Sequence, residues 1–151
     1  MSYKITYTNP SSSEQLPSAE QARAMVSFME EFYATSDDPA AHEKYVASFT
    51  PDATLIMGSK VARGSEEILA LRHGLWTHVA SRKHTPIKIF FGDPNELMLH
   101  GKVAYVLKAG GKEVEIDWAG RVEFAFDESG GNPKVKFYQV YLDTTAQSGK
   151  S

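Results

Sequence analysis

Hydrophobic positions in the first half of the chain recur every three or four residues, which is the period of a helix that buries one face. The first such segment spans residues 18–34. Ser18 followed three residues later by Gln21 is the pattern of a capping box, in which two side chains bond the free amides of a helix start. We therefore predict a helix that begins at Ser18 and ends near Ala34.

Two further helices are predicted from the same spacing. Asp38-Pro39 suits the start of a short second helix, because proline at the first helical position loses no hydrogen bond. A third helix is expected to open at Gly64 and to continue to about Lys83, since the apolar stripe extends that far and basic side chains suit its end. Pro86 then prevents helical continuation.

After Pro86 the apolar positions alternate, which is the pattern of strands with one buried face. Glycine-rich turns separate the segments, among them Gly110-Gly111 and a second hairpin loop over 129–133. The predicted strands are 53–57, 87–91, 97–107, 114–126 and 135–143. Helices first and antiparallel strands afterwards predict an α+β fold.

The two ends of the chain lack the regular hydrophobic pattern of the predicted helices and strands. Residues 1–17 are polar and are interpreted as a flexible N-terminal arm, in which alternating Tyr3, Ile5 and Tyr7 could add an edge strand. Residues 144–151 are interpreted as a polar tail. The segment between them, 18–143, is expected to be the folded domain.

Composition narrows the function classes. The chain of 151 residues has the length of one domain, contains no cysteine and carries a net charge of -3. Disulfides and thiolate chemistry are excluded, and a mildly acidic chain without a basic run is a poor nucleic-acid binder. No apolar run approaches the ~20 residues that span a bilayer, so we expect no membrane partner and a cytoplasmic location by default.

Four short segments resemble the nuclear transport factor 2-like superfamily, and within it the SnoaL-like domains. They are Phe49-Thr50-Pro51-Asp52-Ala53-Thr54, Gly64 with Glu67-Ile68, Trp118-Ala119-Gly120-Arg121, and Tyr138-Gln139-Val140-Tyr141-Leu142-Asp143. The resemblance implies a cone-shaped half-barrel, with a curved, mostly antiparallel sheet wrapped over about three N-terminal helices. It also implies a pocket at the open end and a homodimer packed through the outer face of the sheet.

The chain departs from the enzymes of that superfamily at positions that matter. Where the isomerases have a catalytic aspartate, this sequence has Met57, which cannot abstract a proton. The dehydratases have a Tyr-Asp pair late in the first helix, where this sequence reads Ser36-Asp37, and two histidines, of which His84 matches one. These departures disfavour an isomerase, and the catalytic residues of a dehydratase are matched only in part.

His84 is the main candidate for catalysis, since an imidazole titrates near neutral pH and can transfer protons. The alternative is an exposed histidine in a basic run with Arg82 and Lys83. His73 lies on the flank of the third helix beside Trp76, and both are candidates for binding a ligand or for the edge of the core. No motif for a metal is present, since His73 and His78 are five residues apart rather than four.

Aromatic residues on the predicted inner faces are candidates for the pocket wall. A buried phenol or indole needs a hydrogen-bond partner, which a ligand oxygen can provide. The alternative for each is ordinary core packing. The residues with these properties are Tyr33, Tyr45, Tyr105 and Trp118.

These observations leave two functions open. The first is a cofactor-independent SnoaL-like enzyme, a cyclase, dehydratase or isomerase that acts on a small hydrophobic oxygenated molecule, with His84 as general acid or base. The second is a non-catalytic ligand-binding or dimerisation domain of the same fold. The enzyme is the leading interpretation, and the small number of ionisable residues predicted to face inward favours the alternative.

Overall fold

A computed structural model describes residues 3–127 and 132–147 of the protein. The helices are α1 (Ala19–Asp37), α2 (His42–Ala47) and α3 (Gly64–Leu75). The strands are β1 (Phe49–Met57), β2 (Lys60–Arg63), β3 (Val79–Asp93), β4 (Glu96–Leu107), β5 (Glu113–Phe126) and β6 (Pro133–Tyr141). Short 3-10 turns cover Ser13–Gln15 and Thr144–Gln147.

The six strands form one curved, unclosed sheet in the order β2-β1-β6-β5-β4-β3. Neighbouring strands are antiparallel except β1 and β6, which are parallel. The three helices supply apolar side chains to a single core that they share with the inner face of the sheet. This architecture confirms the predicted α+β class.

Helix α1 begins as predicted and ends later than predicted. The Ser18 hydroxyl accepts a hydrogen bond from the Gln21 amide at 3.1 Å, and the Gln21 side chain accepts one from the Ser18 amide at 3.3 Å. The helix continues to Asp37 instead of Ala34. The last turn is stabilised because the side chain of Arg72 donates to the carbonyl groups of Ser36 and Thr35, a tertiary contact that has no local sequence signal.

The prediction that Asp38 caps the second helix is wrong. Helix α2 begins four residues later, at His42, and its N-terminal cap Ala41 makes no side-chain bond. The Asp38 carboxylate instead accepts from the Ala40 amide at 2.9 Å, which makes a local turn. Asp38 therefore belongs to the loop between α1 and α2.

The predicted length of the third helix is also wrong. Helix α3 ends at Leu75, and strand β3 begins at Val79 and runs through Pro86 to Asp93. An irregularity in the pairing with β4 separates Val79 from Ser81, so Val79 and Arg82 are both buried although they are three residues apart. This spacing imitates a helical stripe, which is why the pattern favoured a helix.

A second irregularity in β3 lies between Pro86 and Lys88, opposite Gly101 of β4. It changes the phase of the strand: Arg82 and His84 pair with buried positions of β4 before it, and Ile89 does so after it. Pro86 is tolerated here because β3 is an edge strand. Gly101 is required, since a Cβ atom would lie 2.4 Å from the carbonyl oxygen of Thr85.

Strand β6 has a similar phase change. Val135, Phe137 and Tyr141 alternate in the sequence like one apolar face, but they do not share a face in the structure, because the pairing with β5 shifts between its partners Glu123 and Phe124. Val135 is buried and Tyr141 is 45% exposed, while the inner face after the shift contains Tyr138 and Val140. Residues 129–131 of the predicted second hairpin lie outside the described residues.

The terminal segments are partly described. Tyr3, Ile5 and Tyr7 are exposed and lie in no strand, so the predicted edge strand is wrong. The Thr8 hydroxyl donates to the carbonyl of Gly92 at the end of β3. A domain of residues 18–143 with an arm and a tail stays a prediction.

We predict opposite effects for two Gly→Ala substitutions. Gly101→Ala should lower the free energy of unfolding by about 1–3 kcal/mol, because the new methyl group overlaps backbone atoms of Thr85 and Pro86. Gly74→Ala, on helix α3 with open space around its Cα, should raise that free energy by about 0.5–1 kcal/mol. Urea unfolding measures both. Equal stability of the Gly101→Ala variant and the unmodified protein would contradict the bulge geometry.

Candidate functional site

The centre of the candidate site is a hydrogen-bonded pair between α1 and β3. Nδ1 of His84 lies 2.5 Å from Oδ1 of Asp37, and the His84 backbone amide donates to Oδ2 of the same carboxylate at 2.9 Å. Because both carboxylate oxygens are used, the imidazole ring is fixed in position and orientation. A carboxylate accepts hydrogen bonds, so Nδ1 is the protonated nitrogen of a neutral His84 and Nε2 is the basic one.

Arg72 of helix α3 positions this carboxylate. Its side chain is fully buried and donates to the carbonyl oxygens of Ser36 at 2.6 Å and Asp38 at 2.5 Å, on either side of Asp37. Its guanidinium also lies 4.7 Å from the ring centre of Tyr45. Burial lowers the pKa of Arg72 to about 10, which still leaves it charged at neutral pH. The backbone on both sides of Asp37 is thus anchored.

Arg82 is the second buried arginine of the site, two residues before His84 on the same face of β3. Its Nη2 donates to the carbonyl of Leu75 at 2.8 Å. Its guanidinium lies between aromatic rings, 4.7 Å from the ring centre of Trp76 and 5.1 Å from that of Tyr105. Burial lowers its pKa. The positive charge is therefore placed inside the protein, next to the imidazole.

Three aromatic residues form the wall around His84. The ring centre of Tyr33 lies 4.9 Å from that of His84, and the ring of Trp118 meets the imidazole edge-on at 5.7 Å. The hydroxyls of Tyr33 and Tyr138 are hydrogen-bonded at 2.9 Å. Gly120 makes room for this pair, because a Cβ there would lie 2.9 Å from the Tyr138 ring. Each of the two phenol oxygens therefore has a hydrogen-bond partner.

The cavity inside this wall is small. It has a volume of about 20 Å³, enough for about one water molecule. Residues that line it come from α1, α2, α3, the strands and the segment after β6: Phe32, Ser36, Tyr45, Met57, Leu75, Arg82, His84, Val103, Tyr105, Trp118, Tyr138, Val140 and Leu142. A groove of about 410 Å³ beside Val46, Phe49 and Leu69 lies apart from the His84–Asp37 pair.

Burial is the strongest influence on the pKa of His84 and lowers it. The hydrogen bond and the charge of Asp37 oppose this and raise the pKa, while the positive charges of Arg82 and Arg72 lower it further. The net direction is downward from the ordinary value of 6.5. His84 is consequently neutral at pH 7, which is the state of a general base.

The sequence-predicted residues divide into three groups. His84, Tyr45, Tyr105 and Trp118 line the cavity. Tyr33 and Trp76 lie just behind it, against His84 and Arg82 respectively. His73 is exposed, with its ring 4.4 Å from that of His42, so its predicted place at the pocket is wrong. The buried face of α3 contains Arg72, and the next residue in a helix is rotated by about 100° away.

Sequence reasoning assigned neither Asp37 nor Arg82 to the site, although Ser36-Asp37 was noted at the place of the dehydratases' Tyr-Asp pair. Asp37 follows Met29 and Tyr33 at four-residue intervals, which would have placed it on the buried face of α1 had the helix been extended. Arg82 was assigned to a helix end and an exposed basic run. Arg82 and His84 lie on either side of the exposed Lys83, which is the alternation of a strand. Two positions are too few to identify a strand where the neighbouring residues follow a helical spacing.

Among residues 3–127 and 132–147, no group of three or more His, Cys, Asp or Glu residues is placed to bind a metal ion. Within the same part of the chain, the helices lack the combination of length and apolar character that crossing a membrane requires.

No protein-family model matches the chain, and no curated protein matches it by sequence. Solved structures match it by superposition. Nuclear transport factor 2 from Cryptosporidium parvum superposes with a TM-score of 0.68 at 12% identity, over 87% of this chain and 100% of the other. A putative SnoaL-like polyketide cyclase from Jannaschia sp. CCS1 gives 0.66 at 12%, over 95% and 99%. A hexachlorocyclohexane dehydrochlorinase of type 2 gives 0.64 at 17%, over 83% and 90%.

These likenesses establish the fold. The chain has the nuclear transport factor 2-like fold, which the putative SnoaL-like cyclase also has. The cone-shaped, helix-covered sheet expected from the sequence is thereby confirmed. At such low identity the relatives do not assign an activity.

We predict a His84 pKa below 6.5 and a further decrease in Asp37→Asn, because the lost charge had raised it. The lowered pKa also makes the free energy of unfolding depend on pH. His84 takes up its proton at lower pH in the folded protein than in the unfolded chain. Its contribution to the free energy of unfolding is therefore complete above about pH 6.5 and is lost as the pH decreases through the folded pKa. NMR titration of the His84 ring measures the pKa directly. A value above 6.5 in the intact protein would contradict the burial described here.

Proposed function

We propose that the protein is a cofactor-independent enzyme in which His84 removes a proton from carbon in a small, apolar, oxygenated substrate. The observation that supports this most is the His84–Asp37 pair at the cavity wall, with both oxygens of the carboxylate bonded to one histidine. A base oriented by a carboxylate in this way is a frequent element of proton-transfer catalysis.

The proposed step uses Nε2 of His84 as the acceptor. The substrate C–H bond breaks, an Nε2–H bond forms, and the electron pair stays on the substrate, where it forms a double bond as a neighbouring group leaves or as charge moves to an oxygen. Asp37 stabilises the imidazolium that results. The proton then returns from Nε2 to the leaving group or to another atom of the substrate. General-base help of this kind contributes typically about 10²–10⁴-fold.

The relatives are compatible with this chemistry. A protein named as a dehydrochlorinase and one named as a putative polyketide cyclase share the fold. The burial of the pair inside an aromatic wall also supports it, because an imidazole in an apolar site remains neutral and available as a base. A dehydratase, cyclase or isomerase would each use this first step.

One observation favours the second candidate, a non-catalytic binding or dimerisation domain. The cavity of about 20 Å³ does not admit a substrate unless side chains at its wall move. In that case the His84–Asp37 pair would be a structural tie between α1 and β3.

The two candidates can be separated with a general substrate for base catalysis. The ring-opening of 5-nitrobenzisoxazole needs a base that removes one proton from carbon and produces a coloured phenolate. We expect the unmodified protein to exceed the His84→Gln variant about 10²-fold or more in kcat/KM at pH 7. Asp37→Asn should fall between them, because it leaves Nε2 in place and removes the charge that stabilises the imidazolium.

The control is His78→Gln, which removes an exposed histidine outside the cavity and should keep the full rate. Circular dichroism and thermal unfolding establish that each variant is folded. If the unmodified protein and folded His84→Gln react at the same rate, the catalytic proposal is refuted and the binding-domain candidate is favoured.

We further propose that the outer face of the sheet packs against a second copy of the chain. Phe90 is 49% exposed and pairs with the exposed Met98, and the Phe90 ring stacks on His100 at 6.0 Å. Tyr141 of β6 is 45% exposed. It pairs with Ala119 of β5, which pairs with His100 of β4, so Tyr141 lies on the same face of the sheet as His100. Apolar groups adjacent on one face of a sheet are typical of an interface.

Phe90→Glu should therefore convert a dimer into a monomer in light scattering at micromolar concentration, because a charge would be buried at the interface. Val61→Glu is the matched control, since Val61 is also on a strand and 45% exposed but lies on β2 at the opposite edge of the sheet. A monomeric mass for the unmodified protein would refute the dimer.

A further inference from the structure

The indole of Trp118 has a polar group without a protein partner in the described part of the chain. Trp118 is 4% exposed and lines the cavity beside His84. Its Nε1–H is buried and has no hydrogen-bond partner among residues 3–127 and 132–147. A buried donor without a partner is unfavourable, so each such group in a native protein calls for an explanation. At a cavity wall, the natural reason is an acceptor atom on a ligand.

The guanidinium of Arg82 lies at the same cavity. It is held by Leu75 and by the flanking rings of Trp76 and Tyr105, so its position is fixed before any ligand arrives. A rigid, partly desolvated guanidinium binds a carboxylate more strongly than one that must be ordered on binding.

Charges of both signs lie around the imidazole. The carboxylate of Asp37 raises the pKa of His84, and the guanidinium groups of Arg82 and Arg72 oppose it. Both oxygens of the Asp37 carboxylate already accept hydrogen bonds from His84. An anion bound next to Arg82 would be attracted by its guanidinium.

We propose that the oxygenated group of this small and otherwise apolar substrate is a carboxylate, which binds to Arg82 and to Nε1–H of Trp118 while His84 acts on a neighbouring carbon. This inference rests on the proposed function, since it takes the His84 cavity as the substrate site. Arg82 and His84 are two residues apart on one face of β3, which separates their Cα atoms by about 6.5 Å. That distance suits a carboxylate and a reacting C–H bond within one small molecule.

The test uses acetate and its neutral isostere acetamide as probes. The protein has two tryptophans, so its ¹H–¹⁵N spectrum contains two indole N–H signals, and Trp118→Phe assigns them. At pH 7 and constant ionic strength, acetate should shift the Trp118 signal in a saturable way, with a Kd about tenfold or more below that of acetamide.

Two variants test the two donors. Trp118→Phe keeps an aromatic ring and removes the N–H, and it should weaken acetate binding about tenfold, measured by calorimetry. Arg82→Gln should abolish the preference for acetate over acetamide. If Arg82→Gln does not fold, Trp118→Phe decides alone. Lys83→Gln is the control, because it removes a positive charge from the neighbouring, exposed position of β3 and should leave acetate binding unchanged.

Three results would overturn the subsite: an unmoved Trp118 signal at saturating salt-matched acetate, equal affinity for acetate and acetamide, or unchanged acetate binding in Trp118→Phe. Acetate binding needs no proton transfer, so these results leave the ring-opening test of His84 unaffected. Conversely, acetate binding without His84-dependent ring-opening would keep the subsite and refute the catalytic step.

Discussion

The structure depends on the buried guanidinium of Arg72. It joins three elements, since it extends from α3, donates to the carbonyls at the end of α1 and contacts the ring of Tyr45 in α2. A charge in this position is stable only because its donors bond to carbonyl oxygens and to Nδ1 of His42, and because aromatic rings cover its faces. The same bonds fix the end of α1 and, with it, the carboxylate of Asp37. One side chain therefore couples the packing of the helices to the geometry of the candidate site.

The site combines a rigid wall with a small interior. The Tyr33–Tyr138 hydroxyl pair and the rings around His84 leave the imidazole little freedom to move. Rigidity of this kind preserves the orientation of a base, but it also limits the size of what can enter. A chain with so little free volume at its centre must open at the cavity wall to admit a ligand. Of the strands that line the cavity, β3 lies at the edge of the sheet and pairs with one neighbour, whereas the others pair with two.

Much of the fold could be predicted from the sequence, because most elements follow a regular period. The capping box at Ser18, the turn into α3 at Gly64 and the alternation of β5 all agree with the structure. The failures lie where tertiary contacts or bulges change the period. The end of α1 depends on Arg72, and the start of β3 contains a bulge that spaces Val79 and Arg82 like a helix. Asp37 and Arg82 lie in those two stretches, so the errors in the helix end and the strand start also kept these two residues out of the predicted site.

The bulge at Pro86–Lys88 has a consequence for how this protein can change. Residues on either side of it point inward with opposite parity, Arg82 and His84 before it and Ile89 after it. A bulge adds one residue to one strand of a pair, which is why His84 and Ile89 can both face inward although they are five residues apart. If the same residues formed a regular ladder without the bulge, either Ile89 would turn outward or Lys83 would replace His84 on the inner face. Loss of one residue at the bulge would instead leave Arg82, His84 and Ile89 together on the inner face of a regular strand. The inner face of β3 therefore depends on the bulge for as long as the strand keeps its present length.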